Sequence, residues 1–548
     1  MIRFLTVVLI ICAFVAGPIL AQPTLKSVAL PDQTNGRLEH ILRRGALIVG
    51  VKTDYPPWGM LDAQGRIIGL EPDLARALAD RMGVDLELVA VTASNRLSRV
   101  NQGVVDVVIA TMGDTVTRRG QAGLLEPSYY SSGVVAYGPI DRNYQSWEEL
   151  RGLPVCMTQG SYYNRTLEET YGVDGKYFPA NREAKMALSF GRCVGWAFDD
   201  TALVQRVLAN PETNYSVMED RILVTPWAIG VAIGERDAPL GRFVSDMIGE
   251  WHATGYLLAL ERKWNIGESA YLQALNAAWS QTGPEGTPSY CNMRQGALPP
   301  DCLGAPPFPP VAETGAPPPW VADLEDATGV DLTVFYDAYS RGRLIRGLGL
   351  TLTLSAVAII GALVVGLGLG VMDASLRGRG LWARMLLLPQ KALVTLARMT
   401  PPILQMYIVF FGLGGVLSQS SLITPGAFTT AALILSLYAG STNAVLIAHA
   451  LEQERRLNPE KGVWTLLPGA FQRAFDGLVA ACVNIVKAAG MASAIALAEL
   501  VSTVNLIVSE GGDVSTFMNG LLVFYFLLVL GVLWLFRRAR RWVVGTGP

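Results

Sequence analysis

Charge is scarce in this chain. Of its 548 residues only 16% are Asp, Glu, Lys or Arg, against roughly 25% in an ordinary soluble domain, so part of the chain must lie outside bulk water. A net charge of -2 offers no basic surface, which argues against nucleic acid as a partner. Histidine is limited to three residues, and none of the six cysteines falls in a CxxC spacing, so the usual zinc ligand sets are missing and no metal site is expected. No GxxxxGKS/T loop is present to cradle ATP phosphates, so any ATP must be used by a separate subunit. No covalent catalyst is evident and no cofactor is expected in this chain; the sequence does not read as an enzyme.

Long uncharged runs crowd the second half. The first covers 344–372, with no charge between Arg346 and Asp373. At a rise of about 1.5 Å per residue it is long enough to cross a hydrocarbon core about 30 Å thick. The first half is ordinary globular sequence, so the chain divides into a soluble unit followed by a membrane unit.

The start of the chain carries Arg3, an apolar core over 4–15 and a cleavage point after Ala21, which reads as a signal peptide over 1–21; a retained anchor is the alternative. Cys156, Cys193, Cys291 and Cys302 would then be exported, where disulfides persist. Their spacing suggests Cys156 with Cys193 and Cys291 with Cys302. Metal binding is the other reading.

Over 38–280 short apolar strands alternate with amphipathic helices: strands over 46–51, 86–91 and 104–110, helices over 71–82 and 96–102. This alternation predicts an α/β fold with largely parallel sheets, which bind ligands at the carboxyl ends of their strands.

Several stretches resemble the amino-acid-type (family 3) periplasmic solute-binding proteins of ABC importers. Thr53-Asp54-Tyr55-Pro56-Pro57-Trp58, Gly69-Leu70-Glu71-Pro72-Asp73-Leu74 and the segment from Asp106 through Thr111, Met112 and Thr115 to Arg118 look like the first lobe. Val155 to Ser161, and Gly191-Arg192 through Asp199-Asp200, look like the second. The resemblance implies two α/β lobes that close on a ligand like a hinged clamp. It also implies a ligand-binding set of Tyr55, Trp58, Thr111, Gly113, Thr115, Arg118, Gly160, Ser161 and Asp199.

The chemistry of those residues fits a free amino acid. Arg118 can offer two parallel hydrogen bonds to a carboxylate, with a solvated charge as its bland alternative. The Gly160-Ser161 turn can add backbone N–H and hydroxyl donors. Asp199 suits an ammonium, although either it or Asp200 could instead cap a helix. Tyr55 and Trp58 could cover an apolar stem or be core aromatics. Gly113 and Asp114 depart from the family, which has a small hydroxyl residue and an apolar one there; Asp114 could favour a cationic ligand or partly neutralise Arg118.

Residues 281–340 are rich in proline and read as an extended, semi-rigid exported linker. Five spans are expected over 344–541: 344–372, one within 386–416, then 431–450, 478–501 and 517–536. Arg537, Arg538, Arg540 and Arg541 follow the last, so the carboxyl terminus is expected in the cytoplasm and the soluble unit in the periplasm of a bacterial inner membrane. Arg398 and Lys487 lie in or near spans. A pathway role, facing protein or water, is one reading; snorkelling at the cytoplasmic ends is the other.

The second half resembles amino-acid-type ABC permeases, on Gly347-Leu348, Thr351-Leu352 and Leu354-Ser355, on Arg398-Met399-Thr400-Pro401 leading to Gln405 and Phe410-Phe411-Gly412, and on Leu467-Pro468, Lys487 and Glu499-Leu500. The resemblance implies an importer subunit with an ATPase partner, a second permease copy or related permease, and surrounding lipid. Two departures weaken the coupling: the segment 449–467 is shorter than the family's ATPase-docking loop and lacks its Glu-Ala-Ala pattern, and Ala488-Ala489 follow Lys487 where the family has Asp-Thr or Asp-Ser. A ligand-binding receptor or scaffold that does not transport is therefore the alternative. The fold class expected is an α/β two-lobed periplasmic-binding-protein clamp followed by an all-α polytopic membrane domain.

Overall fold

The computed structural model describes residues 36–544 except 143, 203–213, 219, 282–290, 292–297, 305–316 and 415–424. The expected signal peptide and much of the proline-rich linker lie outside the described residues.

Two sheets form the soluble unit. Lobe 1 orders its strands β5-β1-β6-β14-β7, with β1 (Ala46–Val51), β5 (Asp85–Ala90), β6 (Val107–Val108), β7 (Gly123–Leu124) and β14 (Gly230–Val231). β1 pairs in parallel with β5 and β6. Lobe 2 orders β10-β9-β11-β8-β12, with β13 also on β8. Its strands are β8 (Tyr130–Pro139), β9 (Pro154–Thr158), β10 (Asp174–Phe178), β11 (Gly195–Asp199), β12 (Tyr215–Val217) and β13 (Ile222–Trp227). A small sheet of β2 (Asp54–Tyr55), β3 (Gly59–Leu61) and β4 (Ile67–Ile68) edges lobe 1.

The expected α/β alternation is present with shifted ends. The second strand starts one residue early. The third shrinks to two residues because Gly103 turns at φ 70° and Val104 faces solvent. Helix α1 (Leu70–Met82) buries Leu70, Leu74 and Leu78 against β1; its spacing of four puts these on one face.

The linker contains more helix than its composition implies. Pro318 and Pro319 sit at the start of the helix Pro319–Thr328, where a missing N–H costs nothing. The disulfide Cys291–Cys302 packs on Leu275 and Trp279, and Trp279 Nε1 donates to the Cys302 carbonyl at 2.9 Å.

Among the described residues, four helices are long and apolar enough to cross a membrane, or five if the bent pair Gly380–Met399 and Pro402–Leu413 counts as one. In order they are α2 (Ala338–Leu376), the pair α3 (Gly380–Met399) and α4 (Pro402–Tyr407, continuing as a π-helix over Ile408–Leu413), α5 (Ala427–Leu457), α6 (Val463–Ala488) and α7 (Val514–Val544), with the short α-helix Leu500–Glu510 between the last two. Pro401 and Pro402 lack amide donors, and Thr400 before them is extended at ψ 141°, so the chain bends by 113° there.

The ends of these helices fix the direction of the pair. Arg192 of lobe 2 donates to the carbonyls of Phe410 and Pro425, the latter at 3.0 Å, so the end of the pair and the start of α5 both lie at the soluble unit. The pair begins beside the other end of α2, which is about 58 Å long at 1.5 Å per residue. It therefore returns the chain from the far end of the bundle.

The expected span over 478–501 is displaced toward the amino end. Helix α6 starts at Val463, gives way to 3-10 turns over Ala489–Ile495, and ends where Ala496 takes φ 58°. Glu499 then caps the next helix, accepting from Val501 N and Ser502 N at 2.8 and 3.0 Å. α2 and α5 pack along small residues: Ser436 faces Gly361, Asn443 faces Gly366, and Asn443 Nδ2 donates to the Ala362 carbonyl at 3.2 Å.

Candidate functional site

The chain passes between the lobes twice, and the two passages are bonded to each other. Leu125 N donates to Ile229 O and Tyr129 N to Trp227 O, each at 2.9 Å. The lobes meet along the carboxyl ends of β1, β6, β9 and β11.

Several contacts cross that cleft. Arg118 Nη2 donates to the Gly160 carbonyl at 2.8 Å. Tyr55 donates its hydroxyl to Asp199 Oδ2. Asn181 N donates to Asp54 Oδ2 at 2.9 Å. Gly160, at φ 81°, lies so close to the Ala93 backbone that a Cβ would stand 2.6 Å from it. The cleft is shut.

Arg118 is held by its own short helix (Val116–Arg119), whose cap is Thr115: the Thr115 hydroxyl accepts from Arg118 N at 3.1 Å. Its Nη1 donates to the Gly113 carbonyl at 2.9 Å, and only 5% of the residue is exposed. Burial pushes this guanidinium down to about 9. Asp199, at the end of β11, has Oδ1 buried with no hydrogen-bond partner among the described residues, and burial pushes its carboxyl up to about 6. An opposed cation and carboxylate, one from each lobe and both buried, complement in charge the two ends of a small zwitterion.

Residues 47–268 match the family model of bacterial extracellular solute-binding proteins, family 3. A glutamine-binding protein of Geobacillus stearothermophilus is 30% identical over 213 residues, covering 38% of this chain and 80% of the relative. The chain belongs to family 3. The L-cystine-binding protein TcyJ of Escherichia coli (strain K12) is 27% identical over 257 residues, 45% of this chain and 92% of that relative. Among solved structures, a mutant of ArgBP from T. maritima aligns at 25% identity and a TM-score of 0.39, over 42% of this chain and 99% of that one.

Within this family 3 domain several sequence expectations are redirected. Gly160, left-handed at φ 81°, presents its carbonyl to Arg118, and Ser161 N donates to Thr158 O at 3.3 Å. Asp114, 1% exposed, grips Arg119 through both carboxylate oxygens, at 2.8 and 2.6 Å, while its charge also acts on Arg118. Asp200 is the structural member of its pair, accepting from Ser132 Oγ at 2.6 Å and Gly133 N at 3.0 Å. Trp58 packs edge-on against Tyr130 and Trp227, at 4.4 and 4.8 Å between ring centres, so its ring belongs to an aromatic cluster. Tyr55 reaches the cleft through its hydroxyl. Gly113 leaves room for Tyr162, whose ring a Cβ there would meet at 2.9 Å.

The family 3 cleft also uses residues that the sequence reading passed over. Glu71 accepts from Thr111 N and from the Tyr129 hydroxyl, and burial pushes it up to about 7. Arg96, 3% exposed, donates to the carbonyls of Ala110 and Thr111, which fixes Thr111 in its strained backbone at φ 44°. Lys52 lies 3.4 Å from Asp54 and 4.9 Å from the centre of the Tyr55 ring. Glu71 stands inside a quoted motif, but Arg96 reads from spacing as an ordinary helix-surface residue.

Cys156 on β9 pairs with Cys193, just before the neighbouring strand β11, and Cys291 with Cys302. In the membrane half, Arg398 occupies the last turn of α3 at the bend and Lys487 the last turn of α6, and both are exposed. Lys487 therefore lies toward the clamp end of its helix, because that helix begins at Val463 rather than at 478.

Proposed function

We propose that this chain captures a polar amino acid in its exported clamp and passes it through its own membrane half, as a subunit of an ABC-type importer whose ATPase is a separate protein. The observation that carries the reading is the placement of a buried Arg118 and a buried Asp199 on opposite lobes of a shut cleft: the guanidinium takes the carboxylate, and the Asp199 Oδ1 that lacks a partner among the described residues takes the ammonium. Relatives named for glutamine and L-cystine binding support a free amino acid as ligand. In this reading the chain crosses a bacterial inner membrane five times, with the bent pair as the second crossing, the clamp outside and the arginines after 536 inside; the candidate spans and the extracellular solute-binding family support it. A second permease copy completes the pathway, within surrounding lipid.

A receptor or scaffold that does not transport is favoured by one observation. α5 ends at Leu457 and α6 begins at Val463, so the turn between them has no separate helix to seat in an ATPase. The test is uptake of labelled L-arginine, L-glutamine and L-cystine into vesicles holding the full chain and its ATPase partner, after calorimetry has measured binding of each. Binding without uptake or ligand-stimulated ATP turnover replaces the importer by the receptor. Binding of none removes the ligand class.

A further inference from the structure

The helix Leu500–Glu510 touches both lobes of the clamp, and does so beside the two residues that close it. On lobe 2, Ser502 Oγ accepts from Gln159 Nε2 at 3.2 Å, and Gln159 directly precedes Gly160. Leu506, 2% exposed, enters the lobe 2 cluster of Met157, Tyr163 and Leu167. On lobe 1, a Cβ on Gly511 would stand 2.5 Å from Gln121 Nε2 and 3.5 Å from Thr117 Cγ2. Thr117 precedes Arg118, and Gln121 N donates to the Arg118 carbonyl at 2.9 Å.

The same helix is tied to the membrane bundle. Leu500 N donates to Thr351 Oγ1 of α2 at 2.9 Å. Glu510 reaches Arg343 of α2 at 3.2 Å, and Arg343 holds Glu168 of lobe 2 at 2.8 Å. Cavities of about 540 Å³ beside Asn101 and Gln121, and about 560 Å³ beside Tyr177 and Arg192, border this segment on its two sides.

We propose that residues 500–512 are a closure strut. A rigid helix seated on Gln159 and on Gln121 fits one separation of the lobes. Opening the clamp moves Arg118 away from Gly160 and must unseat one end of the helix. Closure by ligand therefore shifts a helix bonded to α2, and by reciprocity the seated helix favours the closed clamp. The proposal rests on the functional reading only in taking an amino acid as the ligand that closes the clamp.

Hydrogen exchange on the full chain in lipid nanodiscs, without ligand, tests the strut. The Asn181 amide reports opening, because its bond to Asp54 crosses the cleft at 2.9 Å and the strut does not touch it. Leu506→Asp is expected to speed its exchange at least tenfold, and the milder Ser502→Ala at least threefold, with exchange in β1 and β5 unchanged as evidence of folding. Unchanged Asn181 exchange in both variants overturns the strut. Calorimetry with L-arginine, L-glutamine and L-cystine forms a separate arm: any that binds should bind at least threefold more weakly to Ser502→Ala, and equal affinity counts against the strut. If none binds, the ligand class fails while the exchange result still judges the strut.

Discussion

Arg118 in lobe 1 donates to Gly160 in lobe 2 at 2.8 Å, so one buried guanidinium latches the two lobes together. A guanidinium carries five N–H donors, and the two bonds to Gly113 and Gly160 leave others for a carboxylate.

Arg118→Ala should weaken amino-acid binding by about 3 to 5 kcal/mol, because a ligand carboxylate is left unpaired out of water and the latch is lost. Arg118→Lys keeps the charge but not the planar fork and should fall between. Calorimetry on the full chain reads both; wild-type affinity in a folded Arg118→Ala protein removes Arg118 from the site.

Asp199 makes binding depend on pH. Burial raises its carboxyl from 3.8 to about 6, so between those values the folded protein holds the proton more tightly than the unfolded chain. This contribution to stability is full below 3.8 and is lost as pH rises through 6. An ammonium needs the ionised form, so affinity should rise over the same window and level off above about 7, with binding at pH 5 about tenfold weaker. Asp199→Asn should weaken binding and flatten the profile; a profile unchanged by that substitution would assign the titration elsewhere, with Glu71 next in line.

Asp114 should govern stability rather than ligand charge. Its two bonds to Arg119 are buried at the carboxylate end, and Arg119 keeps Glu126 as a second partner. Asp114→Ala should lower clamp stability by about 1 to 3 kcal/mol and leave the ranking of L-arginine against L-glutamine unchanged. A reversed ranking would give Asp114 a part in ligand choice.

The strands and the opposed pair of Arg118 and Asp199 were legible because they follow local rules: period-two apolar runs, and a motif read at fixed spacing. Three things were not. The closing role of Gly160 depends on a backbone rotation that a glycine permits but does not announce. The pairing of Asp114 depends on Arg119, five residues on, which competes with Arg118 for the same carboxylate and wins by geometry. The break after Ala488 leaves no charge or proline in the sequence over 488–498; it is set by Glu499 capping the next helix and by the clamp resting on that helix.

Lys487 offers the sharpest test of transport. Its side chain is exposed on α6 with no hydrogen bond or ion pair among the described residues, and a basic residue placed deep in a bilayer costs about 2.5 to 3.5 kcal/mol on insertion scales. Water in a pathway, or a second copy of the chain, would relieve that cost; lipid would not. Lys487→Met removes the charge while keeping an unbranched side chain. In vesicles with the ATPase partner it should cut uptake at least tenfold and leave the clamp's affinity within twofold, since Lys487 lies outside the cleft. Arg398→Met at the bend of α3 and α4 serves as the comparison: a loss there alone would place the pathway at the bend. Full uptake in the Lys487→Met protein would leave that lysine no part in the passage of ligand.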